Sequence, residues 1–165
     1  MNKALAQCLV TLAASLLLGA CSATGSAETA GIVNVRQITQ SAHCGLTGPG
    51  VAFVRSEAER EALLDVSGQN MATDAVRKVA LEQEALVLVT LGQKPTAGYS
   101  IGLNRAHRQG QTLALHMRVR EPAPDRMVAQ VITSPCVVLA VEPGDWHQIT
   151  VSGVTEEALV RKLEH

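Results

Sequence analysis

The chain has 165 residues, a formal net charge of −1, 47% apolar residues and 18% charged residues. That is about one domain's length with enough apolar content for a packed core, which excludes a wholly disordered chain. The balance of 14 basic against 15 acidic residues gives no electrostatic reason to expect nucleic acid as a partner, and single copies of Phe53, Tyr99 and Trp146 leave almost no rings for bases to stack on.

Residues 1–20 read as a signal segment: Lys3 supplies a positive start and 4–18 is almost wholly apolar. The run is short for a hydrocarbon core of ~30 Å. It ends Leu18-Gly19-Ala20-Cys21, which resembles the lipobox of bacterial lipoproteins. The resemblance implies cleavage before Cys21 and acylation of its thiol and amine; an ordinary secretory signal or a core helix is the alternative. Ser22 in place of Asp after the cysteine is similar to lipoproteins sorted to the outer membrane, here facing the periplasm. Several acyl chains, at ~0.8 kcal/mol per buried CH2, anchor a protein stably where one chain does not. Small, polar residues over 21–31 then read as a lipidated tether. Cysteine usage follows from this address. Cys8 leaves with the signal and Cys21 carries lipid, so Cys44 and Cys136 remain in an oxidising compartment. A Cys44–Cys136 disulfide is expected there, with two buried free thiols as the alternative.

Residues 32–163 are expected to form one globular domain. Alternation predicts a strand over 32–38, and three glycines with Pro49 predict a loop over 41–50. A short strand follows over 51–55. Ser56-Glu57-Ala58-Glu59 fits a capping box and starts a helix over 57–66 that buries Leu63 and Leu64 and stops at Gly68. Asp74 is a candidate cap for a second short helix over 75–80. The apolar run 85–91 predicts a central strand, broken by Gly92, Pro95 and Gly98, and 99–103 resumes extended. Over 111–120, Leu113, Leu115, Met117 and Val119 alternate with Thr112, His116, Arg118 and Arg120, which predicts a strand with one buried face. Strands are also expected over 127–134, 136–141 and 147–152, and a terminal helix over 155–163. The fold class is therefore mainly β with some helix (α+β). It is an antiparallel β-sandwich or open barrel, with one helix from the N-terminal half packed against it.

No catalytic constellation emerges. Ser41 and His43 lie two apart with no acid nearby to orient the imidazole, and no G-x-S-x-G elbow is present. His107 and His116 read as solvated. Cys44 beside His43 is a conceivable nucleophile, but the disulfide has the stronger case. No metal ligand set is expected, because His43-Cys44 is adjacent rather than spaced and C-x-x-C is absent. No cofactor is called for, and the glycines at 45–50 lack the lysine of a phosphate loop. The stretch from Gly92 to Tyr99 concentrates turn residues beside the single phenol. Lys94, Pro95, Thr96, Ala97, Gly98 and Tyr99, together with Trp146, are the candidate binding residues. The rival reading is a tight strand connection with Tyr99 in the core.

Several segments carry a family resemblance: Leu88-Val89-Thr90-Leu91-Gly92, Lys94-Pro95-Thr96-Ala97-Gly98-Tyr99, Glu121-Pro122-Ala123-Pro124 and Thr133-Ser134-Pro135. In this order, over about 86–151, they resemble the C-terminal domain of the protease complex subunit PrcB family. The founding member is a lipoprotein that associates with a surface protease and helps its assembly. The resemblance implies a non-catalytic envelope module with a protein partner, a protease complex being the example. Cys136 stands where an aromatic often follows the proline. Pro95-Thr96-Ala97-Gly98-Tyr99 is also similar to the N-P-T-T-G-Y loop of chagasin-type inhibitors of cysteine peptidases, with Lys94 and Ala97 departing from it and Pro143-Gly144-Asp145-Trp146 only loosely matching their R-P-W loop. That likeness implies inhibition as the alternative activity.

Overall fold

The structure, a computed structural model, describes residues 31–164. The expected signal over 1–20, lipid attachment at Cys21 and the tether up to residue 30 lie outside the described residues. The described chain runs β1 (Val35–Ser41), β2 (Pro49–Val54), α1 (Glu57–Leu64), α2 (Thr73–Arg77), β3 (Ala85–Leu91), β4 (Ser100–Gln109), β5 (Thr112–Arg120), β6 (Cys136–Val141), β7 (Gln148–Ser152) and β8 (Leu159–Lys162). One sheet has the order β1-β6-β3-β2 and the other β4-β5-β7-β8.

The two central strands of the first sheet, β3 and β6, determine the layering. They pair antiparallel, Val87 opposite Leu139 and Val89 opposite Val137. Successive side chains on a strand point to opposite faces, and these strands are apolar at nearly every position. Val87, Val89, Leu91, Val137, Leu139 and Val141 enter one core with Leu113, Leu115, Ile149 and Val151 of the second sheet. Leu86, Leu88, Val138 and Ala140 point the other way, into a second core with Leu63, Leu64, Val76 and Val79 of the helical region. The molecule thus has three layers: helices, first sheet, second sheet. Each fully buried Val or Leu contributes roughly 1.5–3 kcal/mol.

Ser56 caps α1 as the sequence indicates. Its hydroxyl accepts from the Glu59 amide at 3.3 Å, and the Glu59 carboxylate accepts from the amides of Arg55 and Ser56 at 2.8 and 3.0 Å. The Arg55 amide, with the amide and hydroxyl of Ser56, holds the Glu59 carboxyl below the usual carboxylate range. Arg60 is buried, which the amphipathic pattern does not reveal; it donates to the Val79 carbonyl at 2.8 Å, pairs with Glu57 and so fixes α1 to the end of the helical layer. Arg36 of β1 clamps Glu84, just before β3, with two hydrogen bonds of 2.9 and 2.6 Å.

Several expectations are corrected. The first strand lies at Val35–Ser41 rather than 32–38. The second helix is Thr73–Arg77, and its cap position is Ala72, which has no side-chain cap bond, rather than Asp74. The segment 127–134 is not a strand; only Thr133 and Ser134 make isolated bridges. The expected terminal helix is β8, a strand antiparallel to β7 with Leu159 opposite Val151. β7 would otherwise have an open edge, and alternation turns Leu159 inward while Val160 and Lys162 stay exposed. The second sheet is also mixed, since β5 and β7 are parallel. The chain between them visits the first sheet as β6, and a parallel neighbour requires a crossover of that kind.

Cys44 and Cys136 form a disulfide, with sulfurs 1.99 Å and Cα atoms 6.0 Å apart. It lies in the helix-side core and ties β6 to the segment after β1. Its sequence separation of 92 makes the closed loop long. Replacing both cysteines by Ala is expected to cost about 4–5 kcal/mol in the chain-entropy treatment. The check is the urea midpoint of the double variant against the oxidised parent.

Candidate functional site

The β3–β4 connection is held by backbone on three sides. Gly92 adopts a φ of +68°. A Cβ there would lie 2.6 Å from the Gly48 carbonyl carbon, so only glycine permits this approach. The Gln93 amide donates to the Thr47 carbonyl at 3.0 Å. Farther along, Lys94 and Thr133 exchange two backbone hydrogen bonds of 2.8 and 2.9 Å, the Ala97 amide donates to Ala129 at 3.0 Å, and the Thr133 hydroxyl donates to the Thr96 carbonyl at 3.0 Å. Gly98 has a φ of +96° and faces Pro122 and Val128. The connection 92–99 is therefore braced by the β5–β6 connection, 121–135.

Ser134 continues the brace on the other side. Its hydroxyl accepts from the amides of Cys44 and Gly45 at 2.9 Å each, and its amide donates to Ala42 at 2.8 Å. These cross-links explain why 127–134 is irregular. Its backbone partners come from two loops instead of one neighbouring strand.

Among the candidate binding residues, Pro95 and Gly98 are exposed, whereas Lys94, Thr96, Ala97 and Tyr99 are half-buried. Tyr99 packs against the inter-sheet core, and the Lys94 ammonium stands 5.6 Å above its ring. Tyr99 thus closes the core beneath the loop while Lys94 covers its outer face. The apolar exposure lies on the partner loop: Met127 is 99% exposed, Ile132 67% and Val131 48%. Sequence reading placed Met127, Val131 and Ile132 in a strand and so did not mark them.

Trp146 is not part of this surface. It is 4% exposed and belongs to the inter-sheet core. Arg108 stacks on it at 4.3 Å, its Nε1 donates to the Glu142 carbonyl at 3.4 Å, and Gly144 lies against the indole. Its segment follows β6 at Val141, which pairs with Ala85, whereas the braced loops follow Leu91 at the other end of β3. Those 7 residues of β3 put Trp146 and the loops roughly 20 Å apart. A cleft of about 240 Å³ lies beside Trp146, rimmed by Glu82, Glu84 and Glu142.

The structure brings together one pair of polar residues that the sequence leaves apart. The parallel register sets Ser152 opposite His116, whose Nδ1 lies 2.7 Å from the Ser152 Oγ. His107 stacks on His116 with centroids 5.2 Å apart. Burial, with Arg105 and His107 adding to it, pushes the His116 imidazole below its ordinary range. Which of the two groups donates follows from the imidazole tautomer, and among the described residues no carboxylate accepts a hydrogen bond from the other ring nitrogen. Ser41 bonds Asn70 at 2.5 Å and the His43 amide at 2.9 Å, which makes it a turn residue. Among the described residues no group of His, Cys, Asp and Glu is placed to hold a metal.

The class defined by this geometry is a three-layer β-sandwich module with two braced inter-sheet loops. Residues 85–142 match the model of a family described as PrcB C-terminal. That stretch is β3 through β6 with both loops, and it is the PrcB-like part of the chain. No curated protein and no solved structure matches the chain.

Two outcomes are expected. Gly92→Ala forces both a positive φ and a backbone collision, so it should destabilise by about 2 kcal/mol or more, read as a lowered urea midpoint. The depressed His116 value means that neutral His116 supports the fold fully above the ordinary imidazole pKa of about 6.5. That support is lost as pH falls from there through the lower folded value. Denaturation at neutral and mildly acidic pH should show a smaller acid loss for His116→Gln than for the parent.

Proposed function

We propose that the chain is a lipid-anchored envelope protein acting as a non-catalytic protein-interaction module, and that its partner belongs to a protease complex. The family match over 85–142 supports the protease-complex association. The observation that carries the contact site is the exposure of Met127, Val131 and Ile132 on a loop whose backbone is fixed by hydrogen bonds to 94–97. Apolar side chains presented on a rigid backbone lose little entropy when they are covered, which is what a contact surface requires. Lys94, Pro95, Thr96, Ala97, Gly98 and Tyr99 form the scaffold of that surface, with exposed Pro95 at its rim.

The anchor fits this arrangement. Gly31 exchanges hydrogen bonds of 3.0 and 2.8 Å with Arg108, near the Gln109 end of β4, while Ser100 at the other end adjoins the braced loops. A chain acylated at Cys21 is thereby attached at the Trp146 pole, and the loop pole is left free for a partner. The alternative, inhibition of cysteine peptidases through the 94–99 loop, would rest on that loop alone, because 143–146 lies at the opposite pole.

The test is capture from envelope extracts with the intact lipoprotein, comparing the parent with a Met127→Asp/Ile132→Asp variant. A protease or protease-complex subunit should be retained by the parent and reduced at least tenfold by the variant, with the urea midpoint unchanged, since loss of a central apolar anchor costs about 2 kcal/mol or more. Equal capture by both proteins overturns the assigned surface. Stoichiometric inhibition of a papain-like protease overturns the module reading in favour of inhibition.

A further inference from the structure

The outer face of the second sheet differs from the rest of the surface. Its outward positions follow from register. Arg118 stands opposite Gly102, Arg120 opposite Ser100, and Arg105 opposite His116. Lys162 stands opposite Gln148 at the far corner. The remaining outward residues of these strands are small or neutral, with no carboxylate among them. None of the four cations is in an ion pair among the described residues. Arg118 donates at 2.8 Å to Asn104, a neutral acceptor. Gly102 and Ser100 have little or no side chain, and the Gln37 and Gln40 amides of β1 reach in beside Gly102, where a Cβ would lie 3.2 Å from Gln37 Oε1, so a narrow space bounded by neutral groups remains beside the guanidinium groups. It forms a cleft of about 250 Å³ between Arg118, Arg120, Ser100, Gly102 and Gln40. The opposite outer layer carries the acids Glu57, Glu59 and Glu61 on α1.

We infer that this sheet face seats the phosphate-bearing headgroups of an anionic phospholipid surface, with the Arg118–Arg120 cleft receiving a headgroup. Guanidinium groups match phosphate oxygens with paired donors. A cationic face with no exposed large apolar side chain at its arginine end suits a layer of anions better than a folded partner, whose burial needs an apolar centre. The position of the N-terminal chain points the same way. Gly31, the first described residue, pairs with Arg108 on the free edge of β4, at the margin of this very sheet. The acidic helices then face away from the bilayer. The headgroup contact concerns the sheet face alone and leaves the loops at the pole uncovered, so it deepens only the membrane half of the proposed function.

The experiment uses the chain from residue 22 onward, which keeps every described residue but carries neither the apolar 4–18 segment nor an acyl group, with vesicles of phosphatidylglycerol in phosphatidylcholine or of phosphatidylcholine alone. Co-sedimentation should require phosphatidylglycerol and weaken with salt. Arg118→Gln/Arg120→Gln should lower partitioning about 30-fold, about fivefold for each cation removed at about 1 kcal/mol each. Arg77→Gln/Lys78→Gln removes the same charge from the helical layer and should leave binding nearly intact. The inference is overturned if phosphatidylglycerol vesicles are not bound, or if both charge variants lose equally. It is also overturned if Met127→Asp/Ile132→Asp abolishes binding, which would mean that the loops insert, or if polyglutamate is bound while vesicles are not. Loss of partner capture in the loop variant with vesicle binding retained separates failure of the protein-contact surface from failure of this inference.

Discussion

The structure depends on a single constraint: β3 and β6 pair side by side and are apolar on both faces. A sheet with one apolar face needs one covering layer, and a sheet with two needs two. The second sheet covers Val87, Val89, Val137 and Leu139, and the helical region covers Leu86, Leu88, Val138 and Ala140. With one Phe, one Tyr and one Trp in the chain, this covering relies on branched aliphatic side chains packed in register. The disulfide reinforces it at one place, joining Cys136 at the start of β6 to Cys44 within the helix-side core.

The same constraint creates the candidate surface. A chain that alternates between two stacked sheets must cross between them at the sheet ends. The crossings 92–99 and 121–135 both fall at the Leu91 end of β3, so they lie side by side and exchange backbone hydrogen bonds. The crossing 142–147 falls at the other end, where Trp146 under Arg108 closes the core. Tyr99 closes the first end beneath its loop. Both rings are closures of the sandwich. Their rarity in the sequence makes both look like contact residues, whereas the exposed apolar side chains of the braced loops are Met127, Val131 and Ile132.

What was legible in the sequence were the features set by local periodicity. The strands Ala85–Leu91 and Cys136–Val141 carry their bounds in the composition, and the Ser56–Glu59 capping box is a local hydrogen-bond pattern that four residues specify. The features set by non-local pairing were hidden. Residues 155–163 contain helix formers, and only an unpaired β7 edge makes Leu159–Lys162 a strand. The segment 127–134 is rich in β-formers, yet its partners are loops. The His116–Ser152 contact exists because β5 and β7 run parallel, an arrangement for which periodicity gives no signal.

Charge shows the same limit of composition most sharply. A net charge of −1 reads as an electrically bland protein. In three layers, the charges separate by face: acids cap α1 at its positive end, where the helix dipole favours them, and arginines stand on the polar side of β5 because alternation puts them there. Each placement has a local cause unrelated to the other. Their sum is a domain with an acidic helical layer and a cationic sheet layer, and with the apolar loop surface at the pole between them. A field of that shape acts before contact, since unlike faces are drawn toward an anionic surface with different strength and the molecule turns as it approaches. Gly31, bonded to Arg108 on the edge strand, and the arginines of the neighbouring strand belong to the same sheet, so the cationic layer and the first described residue share one side of the domain.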